Sequence, residues 1–140
     1  MERQKATSRK SVQWWNSSFA VDPDDLFADG YVNYQEPIAA GQGEMGVTLD
    51  QLKAVVAANH AAFPGLKVDI LLQVGEGNRV ATHWTFSGEQ KGTYEGLAPT
   101  GKAVSWSGIS IDEHDSDGKI AKTWVVWDKD TLFRELGLIR

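Results

Sequence analysis

Hydrophobic positions first recur at helical spacing near the start of the chain. Val12, Trp15 and Phe19 fall at i, i+3 and i+7, and Arg9, Lys10 and Gln13 are left for the wet side. A second, short helix is predicted to open at Asp22, an N-cap residue followed by Pro23 at the first helical position and by the acids Asp24 and Asp25. Tyr31–Tyr34 reads as a short extended piece, and Pro37–Gly46, with Gly41, Gly43 and Gly46, reads as a loop. Thr48 and Gln51 have capping-box spacing. After them Leu52, Val55, Val56, Asn59, His60 and Phe63 keep a helical period until Pro64-Gly65 stops it. Beyond Lys67 the pattern becomes that of strands. The β-rich runs are Val68–Val74, Arg79–Ser87, Lys102–Glu113 and Ile120–Trp127, and Asp117-Gly118 signals a tight hairpin between the last two. A final short helix, capped by Asp128 or Asp130, turns Leu132, Phe133 and Leu136 inward and ends at Gly137.

Helices first and an antiparallel meander afterwards predict an α+β fold, with the helices packed on one face of the sheet. The run from Thr123 to Trp127 is apolar on both of its faces. A sheet with one covered face alternates polar and apolar residues. Helices over one face and a second copy of the chain over the other account for the pattern, so a homodimer is expected.

Composition changes this picture little. With 140 residues, 41% hydrophobic and 24% charged, the chain suits a single domain over residues 1–140 with a packed core. A net charge of −5 argues against nucleic acid or an anionic membrane surface as partner. Cysteine is absent, which removes disulfides, thiolate metal sites and cysteine nucleophiles. Apolar runs are too short to span a membrane and Met1–Lys10 is too polar for a signal peptide, so a cytoplasmic protein is expected. Six tryptophans are unusual in a chain of 140 residues, and such large rigid aromatics line cavities or interfaces. The spacing Gly41-x-Gly43-x-x-Gly46 mimics a dinucleotide fingerprint but lies in no βαβ unit. His60, His83 and His114 show no paired-ligand spacing, so no metal site is predicted.

A longer constellation carries more information. Arg79-Val-Ala-Thr-His-Trp-Thr-Phe-Ser-Gly88 is followed by Gly92, Gly96-Leu-Ala-Pro-Thr-Gly101 and Ser107-Gly108-Ile109. Asp117-Gly-Lys-Ile120, Trp124, Asp128 and Leu136-Gly137 come next. Together with Tyr31-Val-Asn33 and Ala62-Phe-Pro-Gly65, this order resembles the SnoaL-like polyketide (ester) cyclases of the nuclear transport factor 2-like superfamily, over most of the chain. The resemblance implies a cone: a strongly curved antiparallel sheet with N-terminal helices closing a pocket, a cystatin-like α+β barrel. It also implies ring closure of a polyketide ester by intramolecular aldol chemistry without metal or cofactor, with a pocket carboxylate as general acid and base. An apolar cavity raises the carboxyl pKa towards that task, and excluded water protects the enolate.

One departure matters. In those cyclases the catalytic aspartate stands on the last strand, within a pattern like His-x-Asp-x-x-Asp. Here the final Asp is present as Asp128, but Val125 holds the catalytic place and Thr123 the histidine place. Valine cannot move a proton. Asp112, which shares a strand face with Ser110, is the best replacement carboxylate. The competing reading is a solvated acidic cluster of Asp112, Glu113, Asp115 and Asp117. His83, opposite in phase to Val80, Trp84 and Phe86, is a second candidate base. His114, beside the turn, reads as surface. Asn33 and Tyr34 suit a carbonyl or enolate oxygen. Trp15, Phe63 and Trp127 are aromatic walls, His60 turns inward, and Gln90 is a polar group at the mouth. Ser110, Thr123 and Val125 complete the expected ligand-binding set. The expected function is a cofactor-independent acid/base enzyme, cyclase- or isomerase-like, acting on a small apolar, polyketide-like or cyclic carbonyl compound. The alternative is a non-catalytic binding protein of the same fold, and a further one is a dimeric scaffold whose pocket is filled by its own aromatics.

Overall fold

The structure, a computed structural model, describes residues 1–16, 21–35 and 45–138. In chain order the elements are α1 (Glu2–Gln13), a 3-10 turn (Pro23–Asp25), β1 (Phe27–Gln35), β2 (Met45–Thr48) and α2 (Leu49–Ala62). The strands β3 (Lys67–Glu76), β4 (Arg79–Glu89), β5 (Ala103–His114) and β6 (Ile120–Trp127) follow, and α3 (Lys129–Leu136) closes the chain.

Local rules account for most boundaries. Asp22 caps the 3-10 turn by accepting from the Asp24 N–H at 3.0 Å. The capping box forms in full at α2: Thr48 Oγ1 accepts from the Gln51 N–H at 3.3 Å, and Gln51 Oε1 accepts from the Thr48 N–H at 2.9 Å. Asp128, rather than Asp130, caps α3 by accepting from the Thr131 N–H, and Gly137 ends that helix at φ 87°.

The first helix departs from expectation. It occupies Glu2–Gln13 instead of following the Val12–Phe19 period, and its buried side is Ser8, Ser11 and Val12. Small hydroxyls on the inner face leave no hydrophobic signal; Phe19 lies outside the described residues. Of the stretch read as a loop, Met45 and Gly46 belong to β2, and residues 36–44 lie outside the described ones. The connection at Asp117-Gly118 is longer than a two-residue turn: it spans residues 115–119, with Asp115 Oδ1 accepting from the N–H groups of Asp117 and Lys119. Gly118 does take the left-handed conformation, at φ 81°.

The strands form one curved, unclosed sheet in the order β2-β1-β6-β5-β4-β3. The fold is α+β, but the sheet is mixed rather than wholly antiparallel. β1 runs parallel to β6, with Asn33 opposite Thr123 and Gln35 opposite Val125. Four other strands and a helix intervene between these two strands in the chain, so no hairpin dictates their direction. Along β4, Val80, Thr82, Trp84 and Phe86 are buried while Ala81, His83 and Thr85 alternate with them on the outer face. Two hydrophobic clusters form under the helices. One joins Val12, Trp84, Phe86 and Trp106 to α3 through Leu132 and Leu136. The other joins Trp14, Phe27 and Tyr31 to α2 through Leu52 and Val56. Trp15 touches both. Among the described residues no helix is long and apolar enough to cross a membrane.

Candidate functional site

A cavity of about 260 Å3 opens where the two clusters meet, lined by residues of both. This is slightly below the usual size of small-molecule sites, roughly 300–1,000 Å3. Aromatic side chains from four elements or their flanks form its walls: Trp15, Trp84, Phe86, Trp106 and Trp127, with Tyr94 from the segment after β4. Trp84 and Phe86 have centroids 4.6 Å apart, Phe86 and Trp106 5.5 Å, so the walls brace one another. Gly108 makes room for them, because a Cβ there would lie 2.5 Å from the Trp84 indole and 2.6 Å from Trp127 Cβ.

One side of the cavity is polar, and its order follows from strand register. Tyr31, Asn33 and Gln35 alternate along β1 on the inner face; Thr123 on β6 is opposite Asn33, and Asp112 on β5 is opposite Thr123. Their side chains form a directed chain of hydrogen bonds. Gln35 Nε2 donates to Asn33 Oδ1, Asn33 Nδ2 donates to the Tyr31 hydroxyl at 2.9 Å, and Tyr31 donates to Thr123 Oγ1 at 2.8 Å. Thr123 in turn donates to Asp112 Oδ1 at 2.7 Å. Ser110 accepts from the Trp84 indole N–H at 2.8 Å and still carries its own O–H.

Asp112 ends this chain with 1% of its surface exposed, and its Oδ2 has no hydrogen-bond partner. Burial raises its carboxyl pKa from 3.8 to about 6, against the opposing pull of the Ser8 and Thr123 hydroxyls. Burial also pushes the Tyr31 and Tyr94 phenols well above their ordinary value, so both remain hydrogen-bond donors at any physiological pH. A carboxyl that titrates near neutrality beside neutral donors and apolar walls can give or take a proton from a carbon acid.

Of the residues singled out in the sequence, Trp15, Asn33, Ser110, Asp112, Thr123, Val125 and Trp127 line this cavity. The acidic cluster is therefore not one solvated group, since Asp112 turns inward while Asp117 is exposed. His83 lies on the outer face, opposite Ile109 and Leu72, away from the cavity. Tyr34 is also on that face, stacked on Trp124 at 5.8 Å, because neighbours of Asn33 on a strand must point the other way. His60 donates from Nε2 to the Trp15 carbonyl at 2.8 Å and so ties α2 to the end of α1. Phe63 is fully buried behind the wall, against Tyr94 and Trp106. Gln90 is buried too. Its amide donates to the carbonyls of Gly92, Leu97 and Ala98 and accepts from Thr100, holding the segment that carries Tyr94. His114, read as surface, is 2% exposed. It is held under α1 by Ser8.

Sequence reasoning missed Tyr31, Gln35, Trp84, Phe86, Trp106 and Tyr94 as cavity residues. The two-residue period starting from Asn33 was a sufficient signal for Tyr31 and Gln35. No signal marked Tyr94, which sits in an irregular segment.

Comparison with known proteins agrees with the fold. Residues 5–136 match the family model described as SnoaL-like polyketide cyclase. AclR from Streptomyces galilaeus, a proposed hydroxylase, is 25% identical with a TM-score of 0.85, covering 100% of this chain and 88% of that one. IdmH from Streptomyces antibioticus, a proposed polyketide cyclase, is 21% identical with a TM-score of 0.79, covering 96% of this chain and 98% of that one. TsrD from Streptomyces laurentii is 21% identical with a TM-score of 0.78, covering 99% and 97%. No curated protein matches the chain in sequence.

Proposed function

Because the chain belongs to the SnoaL-like polyketide cyclase family, we propose that it is a cofactor-independent acid/base enzyme, cyclase- or isomerase-like, in which Asp112 moves a proton at a carbon next to a carbonyl of a small polyketide-like or cyclic molecule. The observation that carries the reading is the buried Asp112 carboxyl, raised to about 6, in the wall of an aromatic cavity. The place that resembles the family's catalytic aspartate is Val125. Val125 is opposite Ser110, and Asp112 stands two residues further along β5, so the carboxylate occupies the diagonal cross-strand position. A carboxylate there reaches the same cavity from the neighbouring strand.

The remaining groups fit an enolate. Asn33 Nδ2 and Gln35 Nε2 each carry a second N–H beyond the one spent in the hydrogen-bonded chain, and Ser110 carries its O–H. These donors suit an oxygen that gains negative charge as the proton leaves. Walls of indole and phenyl exclude water from the intermediate. We also propose that two copies pair through the outer sheet face. There Leu72, Val74, Ile109, Ile111 and Val126 are 40–60% exposed in two rows crossing four strands.

The test uses aromatic β-keto methyl esters as probes and follows exchange of their α-hydrogen for deuterium by NMR. Catalysed exchange that falls about 100-fold or more in Asp112→Asn supports the enzyme. Binding seen as tryptophan quenching, with no catalysed exchange in the unaltered protein, favours a binding protein instead and overturns the acid/base reading.

A further inference from the structure

Asp112 has a second set of neighbours, outside the cavity lining, that the proposed reaction does not use. Ser8 of α1 and His114 of β5 are buried, 0% and 2% exposed, and neither lines the cavity. Ser8 Oγ lies 3.0 Å from His114 Nε2. His114 Nδ1 lies 3.4 Å from the Gly118 carbonyl, which can only accept, so Nδ1 keeps its hydrogen and Nε2 is the nitrogen free to change protonation. Asp112 and His114 are two residues apart on one strand and so share a face, with Ser8 above them. The carboxyl feels two hydroxyls: Thr123 holds Oδ1, and the other is Ser8. Oδ2 makes no hydrogen bond in this arrangement.

We propose that His114 exchanges a proton with Asp112 through the Ser8 hydroxyl, so that the acid/base group is recharged from outside the cavity lining without water entering the cavity. The inference rests on Asp112 being the acid/base group. The step balances. Protonated His114 gives its Nε2 proton to Ser8 Oγ while Ser8 gives its own to Asp112 Oδ2, leaving neutral imidazole and neutral carboxyl. The reverse restores imidazolium and carboxylate; since Oδ2 makes no hydrogen bond at rest, the Ser8 side chain must turn from His114 and close on Oδ2 for the transfer. Burial lowers His114 from its ordinary value and raises Asp112 to about 6, so burial shifts the two groups' proton affinities in opposite directions, towards each other.

The surroundings contain few competitors. Facing the pair are Ser8 from α1, Thr123 from β6 and Tyr31 from β1, whose phenol stays protonated. Asp115, in the following turn, acts on His114 through its charge. In that turn Arg3 of α1 donates to the Asp117 carbonyl. Glu113 is on the opposite face, paired with Arg79 at 3.1 Å.

The experiment is an NMR titration of the Asp112 carboxyl carbon and the His114 ring nitrogens in the full chain. In the unaltered protein each nucleus is expected to show the other's inflection, as coupled sites do, and the wild-type titration needs no variant. Ser8→Ala, which removes one hydroxyl, is expected to reduce each curve to a single inflection, and Ser8→Thr to restore the coupling. His114→Gln keeps a polar partner for Ser8 but cannot titrate; it is expected to move the Asp112 midpoint by about one pH unit. A purely structural His114 would leave that midpoint in place. If Asp112 titrates near 6 with one inflection that Ser8→Ala and His114→Gln leave unmoved, the relay is overturned and the acid/base reading stands. If Asp112→Asn leaves α-hydrogen exchange unchanged, that reading falls, whatever the coupling.

Discussion

A carboxyl kept from water at Asp112 makes stability depend on pH in a particular direction. Its folded pKa, about 6, lies above the 3.8 of the exposed group, so the native state binds the proton more tightly than the unfolded chain. Stability therefore falls as pH rises through this window, and above it the native state bears a penalty of about 3 kcal/mol. Asparagine at the same place keeps an oxygen to accept the Thr123 hydrogen bond and carries no charge. Asp112→Asn is expected to be more stable than the unaltered protein by about 1 to 3 kcal/mol at alkaline pH and to lose that advantage in acid. Urea unfolding at both ends of the window checks this; an equal effect at both would show that the carboxyl does not ionise in place. Asp128, which the family pattern shares, has a local use here: both its oxygens accept from Thr131, and these bonds hold its carboxyl below the ordinary range.

On the scale of elements, the strand β5 is shaped by one residue without a side chain. Trp84 and Trp127 converge over Gly108 from the strands on either side. Gly108→Ala is expected to displace both indoles, to cost about 1 to 3 kcal/mol, and to weaken ligand binding in step with the change in tryptophan emission. Strands and caps were legible in the sequence because they rest on residues a few positions apart: the period of β4, the Thr48–Gln51 box, Asp128 and Gly137. The extent of α1 was not, because its inner face is made of Ser8 and Ser11. Those hydroxyls are buried for the hydrogen bonds they make to His114 and to the Ser8 carbonyl, not for hydrophobicity.

At the scale of the whole molecule, the helices cover one face of the sheet and leave the other bare. Ile109 is opposite Val126, and Ile111 opposite Trp124, on that outer face. His83 lies in the same rows, so the proposed interface would surround it with apolar side chains. Val126→Glu is expected to convert a dimer into monomers in analytical ultracentrifugation while leaving the cavity intact. A monomer in the unaltered protein would overturn the pairing.

The amino-acid sequence alone determined the α+β order, the caps at Thr48, Asp128 and Gly137, the strand periods and the loss of a proton carrier at Val125, since each depends on residue identity and local spacing. Tertiary structure alone decided which carboxylate meets the cavity. Asp112 reads as one of several acids before a turn. It becomes a buried, titratable group only when α1 covers it and β6 brings Thr123 beside it. The hydrogen-bonded row from Gln35 to Asp112 likewise exists only because β1 pairs in parallel with β6, a contact across some 90 residues of chain that no local signal specifies.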